Sequence, residues 1–149
     1  MKTQTKYFGE VEFEQEELLT FPKGLFGFED EHSFLLLEFS DNGTLFSLQS
    51  VQTPELAFTL MHPFTLCAGY APVLRAEELR ELDVEQSEEL YYYVMCTVKK
   101  PVSESTINMK CPVAINPNTR RAMQVILEDD EWEMRHKLSE FESGEDKTC

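Results

Sequence analysis

The sequence predicts a mainly β fold, antiparallel, with one or two short helices, and three observations carry that prediction. Between Thr106 and Leu127, TINMKCPVAINPNTRRAMQVIL, polar Thr106, Asn108 and Lys110 alternate with Ile107, Met109 and Cys111, the period of two that marks a half-buried strand. Asn116-Pro117-Asn118-Thr119 supplies turn chemistry before a second run, Ala122 to Leu127, so the stretch reads as an antiparallel hairpin interrupted at Pro112. Next, Leu90 to Val98, LYYYVMCTV, is the longest apolar run; its aromatic and β-branched content and its stop at Lys99-Lys100-Pro101 mark a central strand. Finally, Asp41-Asn42-Gly43 divides two further apolar runs as a tight hairpin turn does. A chain of 149 residues is one domain, long enough to close a single core.

In chain order, Tyr7 to Phe13 is expected as a strand with Glu10 and Glu12 on a solvated face and Val11 and Phe13 opposite. Leu18 to Phe28 holds two glycines, a proline and several large apolar residues, the make-up of a compact irregular turn whose aromatics cap a core. Glu29-Asp30-Glu31 follows as three consecutive carboxylates: a solvated turn, the first turn of a short helix, or an acidic rim beside an apolar contact patch. Ser33 to Phe39 is apolar enough to be buried on both sides, and Leu45 to Val51 is its partner. Gln49, opposite Phe46, Leu48 and Ser50, is a surface residue or a hydrogen-bonder to neighbouring backbone. After the Thr53-Pro54-Glu55 turn, Ala57 to Met61 is a strand ended by His62-Pro63-Phe64, and Ala76 to Leu82 is the best short helix. Beyond Glu128-Asp129-Asp130-Glu131, Met134, Leu138 and Phe141 fall on one face of a possible docked terminal helix; the lone Trp132 among carboxylates suggests a partner-binding arm instead. The domain is placed at residues 1–136 and an acidic, mobile tail at 137–149.

Charge narrows the function classes. With 28 acidic and 13 basic residues the formal net charge is −15, which repels a nucleic-acid backbone and favours either a basic protein partner or simply solubility. No apolar run reaches the roughly 20 residues of a membrane span, and the N-terminus lacks the apolar core of a signal peptide. A cytoplasmic protein is expected. Cys67, Cys96, Cys111 and Cys149 stand at spacings wrong for zinc and for a disulfide, and Cys96 and Cys111 sit in apolar strand patterns as small hydrophobes.

Catalytic patterns do not emerge. His32, His62 and His136 fall at a turn, a strand end and the tail, with neither HxH nor HExxH spacing, so no metal is expected. Pro22-Lys23-Gly24 lacks the spacing of a phosphate loop, no Gly-x-Ser-x-Gly elbow occurs, and Cys111 fits core packing better than a nucleophile paired with His62. Neither an enzyme nor a cofactor is expected.

In the order and spacing of Phe21-Pro22-Lys23-Gly24-Leu25-Phe26-Gly27-Phe28, Leu48-Gln49-Ser50-Val51, Asn108 to Asn116 and Ala122 to Leu127, the chain resembles the bacterial flagellar assembly factor FliW family. The likeness runs from Tyr7 to about Arg135-His136; Cys111 departs from the small residue expected before the proline, and the tail after His136 is least supported. The resemblance implies a small antiparallel β-barrel-like domain. It also implies a regulatory role: binding the translational regulator CsrA, relieving its repression of flagellin mRNA allosterically, and binding flagellin, which thereby controls its own synthesis. Expected contact residues are Phe26, Phe28, Glu29, Asp30 and Glu31 in the first acidic turn and Glu128, Asp129 and Asp130 in the second, where carboxylates lie beside aromatics. Asn108, Asn116, Gln49 and Gln124 are assigned to turns and strand ends. A monomer is expected. The competing readings are an acidic interaction module for another basic partner and a nucleic-acid mimic.

Overall fold

The computed structural model describes residues 1–39 and 43–141. A two-stranded antiparallel sheet, β1 (Lys2–Gln4) and β2 (Glu10–Glu12), precedes a larger sheet. The latter contains β3 (Leu19–Thr20), β4 (Ser33–Glu38), β5 (Leu45–Ser50), β6 (Ala57–Met61) and β7 (Tyr91–Thr97), then β8 (Thr106–Ile107), β9 (Val113–Ile115), β10 (Ala122–Gln124) and β11 (His136–Lys137). Its main path runs β10-β9-β7-β6-β5-β4-β3, with β8 pairing both β7 and β11. The named strand pairs are antiparallel. The two ends of the path meet: Thr20 and Arg121 form a parallel bridge, and the Thr20 amide donates to the Arg120 carbonyl at 2.9 Å. The sheet is therefore curled like a barrel and joined at one point. Two short α-helices, α1 (Pro63–Leu66) and α2 (Ala76–Glu81), complete the mainly β fold.

The curl explains why several strands carry no polar face. Leu19, Phe21, Phe34, Leu48, Leu60, Val113, Ile115 and Ala122 form one buried cluster that draws on both ends of the path and so lies inside the curl. Met61, Tyr70, Leu74, Leu82, Leu90, Tyr92, Val94, Ala114, Leu127 and Trp132 belong to a second cluster on the outer face. Alternate residues of β6, β7 and β9 enter alternate clusters, so period-two geometry persists while polarity does not alternate. Each fully buried Leu or Phe contributes roughly 1.5–3 kcal/mol.

Most strands lie where the pattern places them, and the departures have physical causes. The first expected strand narrows to Glu10–Glu12, and Tyr7 and Phe8 turn outward to pack on the Phe39 ring at 5.5 and 5.2 Å. The Thr106–Cys111 strand is shortened to Thr106–Ile107, because Asn108 Oδ1 accepts the Lys110 and Cys111 amides and bends the chain before Pro112. No terminal helix forms at Met134–Phe141. His136 and Lys137 instead pair with Ile107 and Thr106, Leu138–Phe141 is a 3-10 turn, and Met134 is exposed. Nor is Trp132 an arm: it is 7% exposed and packs edge-on against Tyr70 at 5.1 Å. Cys67 is disulfide-bonded, which overturns the expectation of four reduced thiols; spacing along the chain carries no information about such a pairing. The expected Asp41-Asn42-Gly43 turn, apart from Gly43, and residues 142–149 of the expected tail lie outside the described residues.

Candidate protein-interaction surface

The turn between β3 and β4 divides its large apolar residues between the core and the surface. Phe21 and Leu25 are buried, whereas Phe26 and Phe28 are 48% and 41% exposed. Reciprocal bonds between Leu25 and Phe28 (3.2 and 2.8 Å) pinch the loop, and Gly24 sits at φ +66°. A Cβ there would lie 2.4 Å from the Phe28 carbonyl oxygen, so only glycine fits. Gln124 of β10 accepts the Phe26 amide at 3.0 Å and donates to the Cys111 carbonyl at 3.2 Å, pinning the turn to the far end of the sheet path. The Phe28 ring meets Phe58 edge-on at 5.1 Å.

Each of the three carboxylates of this turn is placed differently. Glu29 accepts the Gly27 amide at 2.9 Å and remains exposed, as does Asp30. Glu31 is half-buried and accepts hydrogen bonds from the Ser50 and Thr53 hydroxyls, so it fastens the turn to the end of β5.

Beside the turn lies a cleft of about 350 Å³. Phe26, Met123, Val125 and Ile126 give it apolar walls, and Lys23, Glu29, Arg75 and Glu78 supply charge. Arg75 bonds Glu78 at 3.0 Å and Glu77 at 3.1 Å, and the hydrogen bond to Glu78 holds the guanidinium even more firmly protonated than usual. Glu78 also accepts the Arg75 amide, which caps α2.

The structure brings Phe26 and Glu29 to this cleft and leaves Phe28, Asp30 and Glu31 outside its lining. Glu128, Asp129 and Asp130 are exposed. Glu128 reaches the cleft only through its field at Arg75; with Asp129 it lines a separate hollow of about 120 Å³ against Val73 and Trp132. Asp129 organises its own turn, its Oδ1 accepting the Glu131 amide at 2.8 Å and its carbonyl accepting the Lys110 ammonium at 2.9 Å. Sequence reasoning missed Ile126, 48% exposed between buried Val125 and Leu127; continuing the period of two past the end of β10 was the available signal. Arg75 and Met123 were also missed, and neither has a local signature.

Among the described residues no group of three or more His, Cys, Asp or Glu is arranged to hold a metal, and no helix is long and apolar enough to cross a membrane.

Fold and surface together define a small, acidic, curled-sheet protein whose exposed apolar groups border carboxylates. The sequence model of the FliW protein family matches residues 2–138. A flagellar assembly factor FliW from Syntrophomonas wolfei is 36% identical over 148 residues, covering 99% of this chain and 95% of that one. Another from Shouchella clausii is 33% identical over 91% of this chain and 92% of its own. The crystal structure of a flagellar assembly factor FliW superposes with a TM-score of 0.86 at 33% identity, over 93% of this chain and 96% of that one. The chain belongs to the FliW family.

Proposed function

We propose that this protein is a flagellar assembly factor that acts by stoichiometric binding, taking up a CsrA-type RNA-binding regulator and flagellin in the cytoplasm. Its antagonism of the regulator is allosteric, so RNA and this protein occupy different sites. The observation that supports the reading most is the family match over residues 2–138. A net charge of −15 suits a basic partner, which it would steer without any need to occupy an RNA-binding surface. The contact surface we assign is Phe26, Phe28, Glu29 and Asp30 with the Phe26 cleft, joined by Glu128, Asp129 and Asp130 across Arg75. Glu31 belongs to it as the residue that fixes the turn.

Isothermal titration of the purified protein with a CsrA-type regulator and, separately, with flagellin tests this. Saturable complexes with both are expected, and added protein is expected to weaken binding of a labelled leader RNA to the regulator by a factor that levels off at saturation, as two separate, coupled sites require. Combined Glu29→Lys and Asp30→Lys substitution is expected to weaken the regulator complex by about tenfold at low salt with the melting temperature retained. Absence of binding to both proteins sinks the reading, and strictly competitive displacement of RNA, with no ternary complex at any concentration, sinks its allosteric part.

A further inference from the structure

A second surface lies apart from the turn and cleft already described. Phe64, Tyr70, Pro72, Val73, Leu90 and Tyr92 line a groove of about 350 Å³ that shares no lining residue with the Phe26 cleft. Its three hydroxyls are engaged by the protein's own backbone. Tyr70 donates to the Met109 carbonyl at 2.8 Å, Tyr92 donates to the Ser87 carbonyl at 2.7 Å, and the Ser87 hydroxyl accepts the Leu74 amide at 2.9 Å. Apart from Glu88, what remains open to a ligand is mostly apolar, with Val73 78% and Phe64 36% exposed.

Carboxylates border this groove. Glu88 lies in its lining, close enough to oppose ionisation of Tyr92. The adjoining smaller hollow, which shares Ala71, Pro72 and Val73 with the groove, presents Glu128 and Asp129. An apolar socket with satisfied hydroxyls and an acidic surround complements a large apolar side chain carried next to a cation.

We propose that this groove docks a partner segment in which a large aliphatic or aromatic anchor is flanked by Lys or Arg, the anchor entering between Phe64 and Tyr92 and the cation meeting Glu88 or the Glu128–Asp129 side. Residues 142–149 carry Glu142, Glu145 and Asp146 against one basic residue, Lys147, a charge opposite to that of the proposed segment. The surface is independent of the identity of the partners proposed above.

Selection of a random peptide library on the immobilised full-length protein, followed by fluorescence anisotropy with the enriched peptides, tests the proposal. Enriched peptides are expected to share an apolar anchor beside Lys or Arg. They are expected to lose about tenfold or more in affinity for the Val73→Glu and Glu88→Lys variants, and nothing for Phe26→Ala. Both substituted positions are exposed, and unchanged circular dichroism and melting temperature confirm that the variants fold. The proposal is overturned if enriched peptides are acidic or bind both variants normally. It is equally overturned if a synthetic peptide of residues 142–149 competes at similar affinity, or if sedimentation reveals self-association that Val73→Glu abolishes.

Discussion

Gln49 shows how much one side chain can organise. It is fully buried, its Oε1 accepting the Lys6 amide at 2.9 Å and its Nε2 donating to the carbonyls of Ser50, Pro54 and Leu56 at 2.9, 2.9 and 3.2 Å. Gln49→Leu keeps much of the volume and strands these groups, so urea denaturation is expected to show a loss of about 2–3 kcal/mol. Asn116 does similar work, donating to the Leu82 carbonyl at 2.7 Å while accepting the Asn118 and Thr119 amides. These structural assignments were legible because Asn and Gln next to turn residues have few other uses inside an apolar run. The destinations of their bonds were not legible, since Leu82 lies 34 residues from Asn116. The buried phenols give a pH expectation. Burial pushes the Tyr92 hydroxyl up to about 12 and raises Tyr70 and Tyr93 as well. A folded-state pKa above the unfolded value of about 10 means full stability below pH 10 and loss as pH climbs toward the folded value. Absorbance at 295 nm, followed with far-ultraviolet circular dichroism, is therefore expected to show these three tyrosines ionising together with unfolding above pH 10; ionisation of all five with the fold intact would refute it.

Elements fared unequally because local pattern and distant pairing compete. β6 was read to the residue, Ala57–Met61, and α2 within one residue, since each carries its signal locally. β1 was missed: Lys2–Gln4 has no apolar alternation and exists through pairing with Glu10–Glu12. The spacing of Met134, Leu138 and Phe141 suggested a helix, but the open side of β8 claims His136–Lys137 first. His136 reinforces that choice, its Nε2 accepting the Glu133 amide at 2.9 Å and its ring packing between Trp132 and Phe141. The candidate cleft was half legible, through Phe26 and Glu29; its far wall comes from α2 and β10, distant in sequence. Helix α2 can be tested as an element. Its cap depends on Glu78, 5% exposed, and Glu78→Ala is expected to cost about 1–2 kcal/mol in urea denaturation. Such a loss with the m-value unchanged would place the effect in α2 and its contacts.

Across the whole molecule, charge is the property that reaches furthest. At −15, association with a basic partner should be fast at low salt and slow at high salt, with the dissociation rate changing less. Stopped-flow measurement across an ionic-strength series checks this, and a salt-independent association rate would exclude steering. The curled sheet bears on a different matter. An open sheet ends in two rows of unsatisfied backbone groups, each a template on which another chain can grow. Here β3 and β10 turn toward one another and meet at Thr20 and Arg121, with the Arg120 guanidinium reaching on to the Glu17 carbonyl at 3.1 Å. A protein whose proposed work is to match its partners one for one must accumulate to their concentration without sticking to its own copies. At that seam neither edge offers its backbone to a second copy.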